Sequence, residues 1–233
     1  MKRLVDVILS STGLILLSPL ILLTSVLIFL YDFHSPFYIA PRVGRGGKLF
    51  RMVKFRSMVV NADKTGVTST SATDRRITPI GHLVRRFKLD EIVQLWNVLV
   101  GDMSMVGPRP NVKSATDLYT SAERGLLAVR PGITDFASIV FADEGEILRG
   151  YADADEAYDR LIRPWKSRLG LFYIENSNLL LDSKLILATL LAVPCRRAVL
   201  RIIARDLSRR GSPPDLVRIA LRENALEAVQ VVS

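Results

Sequence analysis

The feature that most constrains this chain is its N-terminal apolar run. From Val7 to Tyr31 no side chain is charged, between Asp6 and Asp32. Gly13 to Tyr31 is almost wholly apolar. As a helix that stretch extends about 28 Å, close to one hydrocarbon core. A cleaved signal peptide is a poor match, because no small-x-small site precedes the next basic cluster. Lys2 and Arg3 lie before the run; Arg42, Arg45, Lys48, Arg51, Lys54 and Arg56 lie after it. Basic residues hold their flank in the cytoplasm, and here both flanks are basic. A single span cannot satisfy both, whereas a helix that enters and returns can. Ser18-Pro19, in mid-run, offers the place to turn: Pro19 has no N–H for the Ile15 carbonyl, and the Ser18 hydroxyl can serve a freed backbone group. A kinked spanning helix remains the competing reading.

Charge elsewhere is uneven. Residues 1–60 carry eight Lys/Arg and two Asp, 61–195 carry 16 basic and 17 acidic residues, and 196–233 carry eight Arg and four acids. Basic ends around a neutral middle suit an anionic membrane surface better than nucleic acid. Aromatics, at 7%, are not interleaved with the basic clusters, so no nucleic-acid partner is expected. One cysteine, Cys195, excludes an internal disulfide and any multi-cysteine metal site, and the two histidines, His34 and His82, stand 48 positions apart, which excludes an HExxH helix.

The pattern predicts an α+β protein, mostly helical, with a small β-hairpin. Phe37–Val43 and Leu49–Phe55 are runs of β-formers around a basic, Gly-rich tip, Gly44 to Lys48. Ala62–Thr73 reads as a loop. Helical patterns cover Ile80–Phe87, Glu91–Val100, Ser114–Leu127, Ala154–Tyr173 and Leu179–Val193. Three regions follow: an anchor (1–35), a catalytic domain (36–193) and a basic C-terminal extension (194–233). In the extension, six arginines from Arg196 to Arg210 interleave with Val199, Leu200, Ile202, Ile203 and Leu207. Such an amphipathic helix either lies on an anionic bilayer or packs on its own domain with its arginines in water. Removal of the chain after Pro194 is expected to leave the protein membrane-bound and active. Asp215 reads as the N-cap of a last short helix.

The candidate chemistry lies between residues 74 and 110. Asp90 and Glu91 are adjacent carboxylates that could simply complement a helix dipole. Around them in sequence stand Arg75, Arg76, Arg85, Arg86, Lys88 and Arg109. Paired carboxylates beside fixed cations suit a place where phosphates and a divalent metal meet.

These residues carry a family resemblance. Lys2-Arg3-Leu4-Val5-Asp6, Ser18-Pro19, Arg42-Val43-Gly44, Lys54-Phe55-Arg56-Ser57-Met58 and Asp74-Arg75-Arg76-Ile77-Thr78 are part of it. So are Leu89-Asp90-Glu91, Gln94 to Leu99, Gly101 to Pro110, Arg130-Pro131-Gly132-Ile133-Thr134 and the segment from Tyr173 to Asp182. The chain resembles the bacterial sugar transferases of the monotopic phosphoglycosyl transferase family over about residues 1–193. The resemblance implies transfer of a sugar phosphate from a UDP-sugar to polyprenyl (undecaprenyl) phosphate, with release of UMP. The product primes exopolysaccharide, capsule, O-antigen or glycoprotein glycan synthesis. It implies Asp90 as nucleophile, a requirement for Mg²⁺ and a re-entrant helix broken at Ser18-Pro19; Asp90 and Glu91 are the expected metal ligands, with Glu91 serving either to hold Mg²⁺ or as the base that deprotonates the polyprenyl phosphate. Lys54, Arg56, Arg75, Arg85, Arg109 and Arg130 are the expected substrate-binding cations, with Arg85 on the polyprenyl phosphate and Arg109 on a substrate phosphate. The expected place is the cytoplasmic face of the bacterial inner membrane, in contact with anionic lipid, and a homo-oligomer is compatible with this. The chain departs from the family pattern at Ala40, Lys88, Val93 and Asp135-Phe136-Ala137-Ser138. A basic membrane-surface scaffold without catalysis is the alternative reading.

Overall fold

A computed structural model describes residues 1–67, 69–223 and 226. Helix α1 (Lys2–Asp32) leads into the antiparallel hairpin β1 (Phe37–Val43) and β2 (Leu49–Phe55), whose register pairs Tyr38 with Lys54 and Ala40 with Met52. There follow α2 (Pro79–Arg86), α3 (Leu95–Val100), β3 (Ser104–Val106), α4 (Lys113–Asp117) and β4 (Gly132–Thr134). The chain continues through α5 (Phe136–Val140), α6 (Glu144–Ile147), α7 (Ala154–Leu161), α8 (Arg163–Asn176), α9 (Leu179–Arg209) and α10 (Pro214–Leu221). The mostly helical class and the hairpin are as the sequence predicts.

Helix α1 is 31 residues long and stays helical through Pro19, so Ser18-Pro19 does not interrupt it. The reason is local. Ser18 Oγ donates to the Ile15 carbonyl at 2.8 Å, the group that Pro19 leaves without its usual N–H. Both ends of α1 are pinned to one body. Near its start Lys2 pairs with Asp182 at 2.7 Å, and Asp6 accepts from the Ser104 hydroxyl and the Met105 N–H. At its end both Asp32 oxygens hold Arg56, at 2.6 and 2.7 Å, and Ile28 packs with Phe55, Val84 and Val93. Between the ends, Ile15, Leu16, Leu22 and Leu23 are exposed.

The expected helix over Ser114–Leu127 is two pieces. Thr120 and Glu123 form a capping box: the Glu123 N–H bonds Thr120 Oγ1, and the Thr120 N–H bonds Glu123 Oε2. That box starts a fresh 3-10 segment, Glu123–Ala128. Glu123, fully buried, also binds Arg163 and the Ser167 hydroxyl.

Helix α9 reverses direction. Cys195 is non-helical, at φ −132° and ψ 45°. Lys184 and Asp206 meet at 3.0 Å, although a straight helix would separate them by about 33 Å. The boundary expected at residue 194 therefore falls within this helical hairpin. Its second arm buries Val199, Leu200, Ile203 and Leu207 in the main core, with Phe136, Leu169, Leu181, Leu185 and Leu216. Of the two readings of the tail, packing on its own domain holds for this apolar face. Arg197, Arg201, Arg205 and Arg209 stay exposed. Asp215 is not a cap: it sits in the first turn of α10, N-capped by Pro213, and pairs with Arg168 at 2.6 Å.

Candidate active site

The expected helix from Glu91 is preceded and tightened by a 3-10 segment, Leu89–Gln94. Lys88 opens it in the left-handed region, at φ 55°. This abrupt turn sets Asp90 and Glu91 beyond the end of α2 and beside β2. Val93 anchors the turn in the cluster with Phe55 and Val84.

Arg109 comes from the opposite side. Its loop is held by a short parallel ladder of β3 and β4 that pairs Ser104 with Gly132 and Val106 with Thr134. Gly107 and Gly132 lie in backbone contact: a Cβ on Gly132 would sit 2.1 Å from the Gly107 nitrogen. Arg109 Nη1 donates to the Ile133 carbonyl at 2.8 Å, and Nη2 reaches Glu91 Oε1 at 2.6 Å. Two residues 18 apart in sequence thus form one charged pair.

Asp90 is different. Its Oδ1 is buried and meets no hydrogen-bond partner among the described residues. Burial and the neighbouring Glu91 charge raise its pKa above the ordinary carboxylate value, while Lys54, Arg85 and Lys88 pull it down. Glu91 is half-buried, and Arg109 and Lys88 overcome the cost of desolvation and hold its pKa below the ordinary value. The dyad therefore holds one carboxylate paired with an arginine and one with an unpartnered oxygen. Lys54, on β2, is brought down to about 8 by burial, opposed by Asp90 and reinforced by Arg42, Arg85 and Arg109.

Lys54, Arg85 and Arg109 thus lie around Asp90 and Glu91. Arg56 is taken by Asp32 and closes the end of α1. Arg75 is exposed ahead of α2, and Arg130 lines a separate cavity. Two residues outside the expected set join the cluster. Arg42 interacts electrostatically with Arg109 and Lys54. It lies four residues from Tyr38 on β1, hence on the same face, and Tyr38 pairs across to Lys54. That alternation was readable in the sequence. Buried Asp135 acts on Arg109 and accepts from the Ser138 N–H and hydroxyl.

Among the described residues no three His, Cys, Asp or Glu side chains cluster to form a ready metal cage. Mg²⁺ does not need one: it commonly binds one or two carboxylates together with substrate phosphates and water. The unpartnered Asp90 Oδ1 beside Glu91 fits that manner of binding.

A turn carrying two carboxylates among cations lies beside the end of a long apolar helix, a composition that suits the binding of phosphate groups. The family model for bacterial sugar transferases matches residues 1–196, and the chain belongs to that family. It is 34% identical over 193 residues to an Aeromonas hydrophila UDP-N-acetylgalactosamine-undecaprenyl-phosphate N-acetylgalactosaminephosphotransferase, covering 81% of this chain and 42% of the relative. It is 36% identical over 191 residues to a Klebsiella pneumoniae UDP-glucose:undecaprenyl-phosphate glucose-1-phosphate transferase, covering 81% and 39% respectively. Exopolysaccharide production protein ExoY of Sinorhizobium fredii (strain NBRC 101917 / NGR234) is 38% identical over 148 residues, covering 57% of this chain and 66% of the relative. The chain spans less than half the length of the first two relatives.

Proposed function

We propose that this chain transfers a sugar 1-phosphate from a UDP-sugar to polyprenyl phosphate and releases UMP. The reading is carried by Asp90: a buried carboxylate oxygen without a partner, in a ring of cations beside a second carboxylate already paired. An ionised Asp90 oxygen attacks the β-phosphorus of the donor. A carboxylate–phosphorus bond forms, the bond to the UMP oxygen breaks, and UMP leaves. The polyprenyl phosphate oxygen then attacks the same phosphorus and frees Asp90. Two steps let a soluble and a lipid substrate use one site in turn.

Each neighbour has work in this scheme. Arg109, oriented by Glu91 and Ile133, holds donor phosphate with a planar guanidinium suited to bidentate contact. Arg85, close to Asp90 on α2, receives the polyprenyl phosphate. Lys54 and Arg42 offset the negative charge that would otherwise repel the nucleophile. Mg²⁺, held by Asp90 and Glu91, would supply further neutralisation of the diphosphate.

The membrane arrangement is part of the proposal. Helix α1 dips into the cytoplasmic leaflet of the inner membrane as a continuous helix, with both its ends on the cytoplasmic side. Its support is that Lys2 and Asp32, near the two ends, both bind the same catalytic body. The exposed apolar middle needs lipid to cover it. The product would prime a surface glycan, as the names of the relatives suggest for those proteins. Mg²⁺-dependent UMP release from UDP-sugars in the presence of polyprenyl phosphate tests the reaction. Its absence with every UDP-sugar would leave the scaffold reading.

A further inference from the structure

A second charged site lies at the start of α1. A cavity of about 240 Å³ is lined by Lys2, Arg3, Asp6, Arg45, Arg130 and Tyr173, among others. Asp90, Glu91, Lys54, Arg85 and Arg109 do not line it. Four of the lining residues are cations and one is a carboxylate, and that carboxylate is committed: Asp6 accepts from Ser104 and Met105. Lys2 is neutralised by Asp182. Arg3, Arg45 and Arg130 have no carboxylate within ion-pair distance among the described residues.

Two of these arginines are nonetheless held in place. Arg3 donates to the Val98 and Leu99 carbonyls at 2.5 and 2.8 Å, and Arg130 Nε donates to the Gly101 carbonyl at 2.9 Å. The C-terminal end of α3 therefore orients both guanidiniums without cancelling their charge. Arg45 approaches from the hairpin tip. The first turn of α1 carries no acid and no side-chain cap, so its N–H groups add partial positive charge. Like charges gathered and fixed in one recess repel one another until an anion joins them.

We propose that this cavity binds a phosphate group, separately from the Asp90 site. Fixed guanidiniums match the geometry of phosphate oxygens. An anionic phospholipid headgroup and a soluble phosphate ester share that chemistry, and the site's place where the apolar helix begins puts it within reach of a headgroup. The inference stands whether or not Asp90 is the nucleophile.

The test is calorimetric titration of the full chain in non-ionic detergent with dihexanoyl-phosphatidylglycerol and, separately, with sn-glycerol 3-phosphate. Saturable binding of the lipid alone assigns the site to a headgroup; binding of glycerol phosphate assigns it to a soluble ester. Arg45→Gln should weaken either by at least about tenfold, as loss of one charge-assisted contact does. Arg45→Gln/Arg130→Gln should abolish it. Arg86→Gln, an exposed arginine elsewhere, should bind as the wild type does. Arg45 is exposed and makes no ion pair, so the single variant keeps the fold, which circular dichroism verifies. Failure of the wild type to bind either probe, or unchanged affinity in Arg45→Gln and the double variant, overturns the proposal.

Discussion

Lys54 and Asp90 have pKa values shifted toward each other, and this has consequences for pH. The proposed scheme requires Asp90 ionised and Lys54 charged for turnover. Asp90 loses its proton only above the ordinary carboxylate range, and Lys54 loses its charge as pH rises through about 8. The rate should therefore climb on the acid side and fall on the alkaline side. Lys54→Gln should lower kcat/KM and flatten the alkaline limb, whereas an unchanged limb would remove Lys54 from the scheme. Glu91→Gln takes the charge from the partner of Arg109. A raised KM for the donor, by about tenfold, is the expected result in steady-state kinetics. The candidates Asp90 and Glu91 were legible in the sequence, because two carboxylates beside many cations are an unusual composition. The division of labour between them was not, because it depends on Arg109 arriving from a separate loop.

The short elements that place Arg109 were the least legible. Strands β3 and β4 have three residues each, too few to display an alternation. Their pairing depends on Gly107 and Gly132 touching across a gap of 25 residues in sequence. Gly132→Ala would place a methyl group where backbone already stands, so β3 and β4 must part. The expected cost is about 3 kcal/mol, read as a lower melting temperature, together with slower turnover as Arg109 moves. The hairpin β1–β2 was legible, since its strands are rich in β-formers and its tip is rich in glycine. The C-terminal arm of α9 was half legible: its amphipathic pattern is plain, but a pattern does not say whether lipid or protein covers the apolar face. The structure buries Val199, Leu200, Ile203 and Leu207. Each such side chain contributes about 1.5–3 kcal/mol by leaving water. Truncation after Pro194 should therefore abolish the cooperative thermal transition, contrary to the expectation from sequence that it is harmless. Replacing Arg197, Arg201, Arg205 and Arg209 by Gln should leave that transition in place and weaken sedimentation with anionic vesicles. Vesicle binding equal to that of the wild type would count against a lipid-facing role.

At the scale of the whole molecule, a helix with both ends bound to one body supports the proposed arrangement, in which both ends lie on one side of the bilayer. Single cysteines at Met1 and Gly47, in a Cys195→Ser background, should both resist an impermeant thiol reagent in intact cells and both react after lysis. Labelling of one of them from outside would contradict the re-entrant arrangement. In the proposed arrangement the turn that carries Asp90 lies at the membrane surface, where a polyprenyl phosphate would reach it from the lipid side and a nucleotide sugar from the water side. The central claim is that the transferred phosphosugar rests on Asp90 between these two encounters. The most direct measurement is the intact mass of the protein after incubation with UDP-sugar and Mg²⁺ in the absence of polyprenyl phosphate. The account predicts an added sugar phosphate on the wild type, located on the peptide that contains Asp90, discharged when polyprenyl phosphate is added, and absent from a folded Asp90→Asn variant. An Asp90→Asn protein that turns over normally, or an adduct found on another residue, would contradict it.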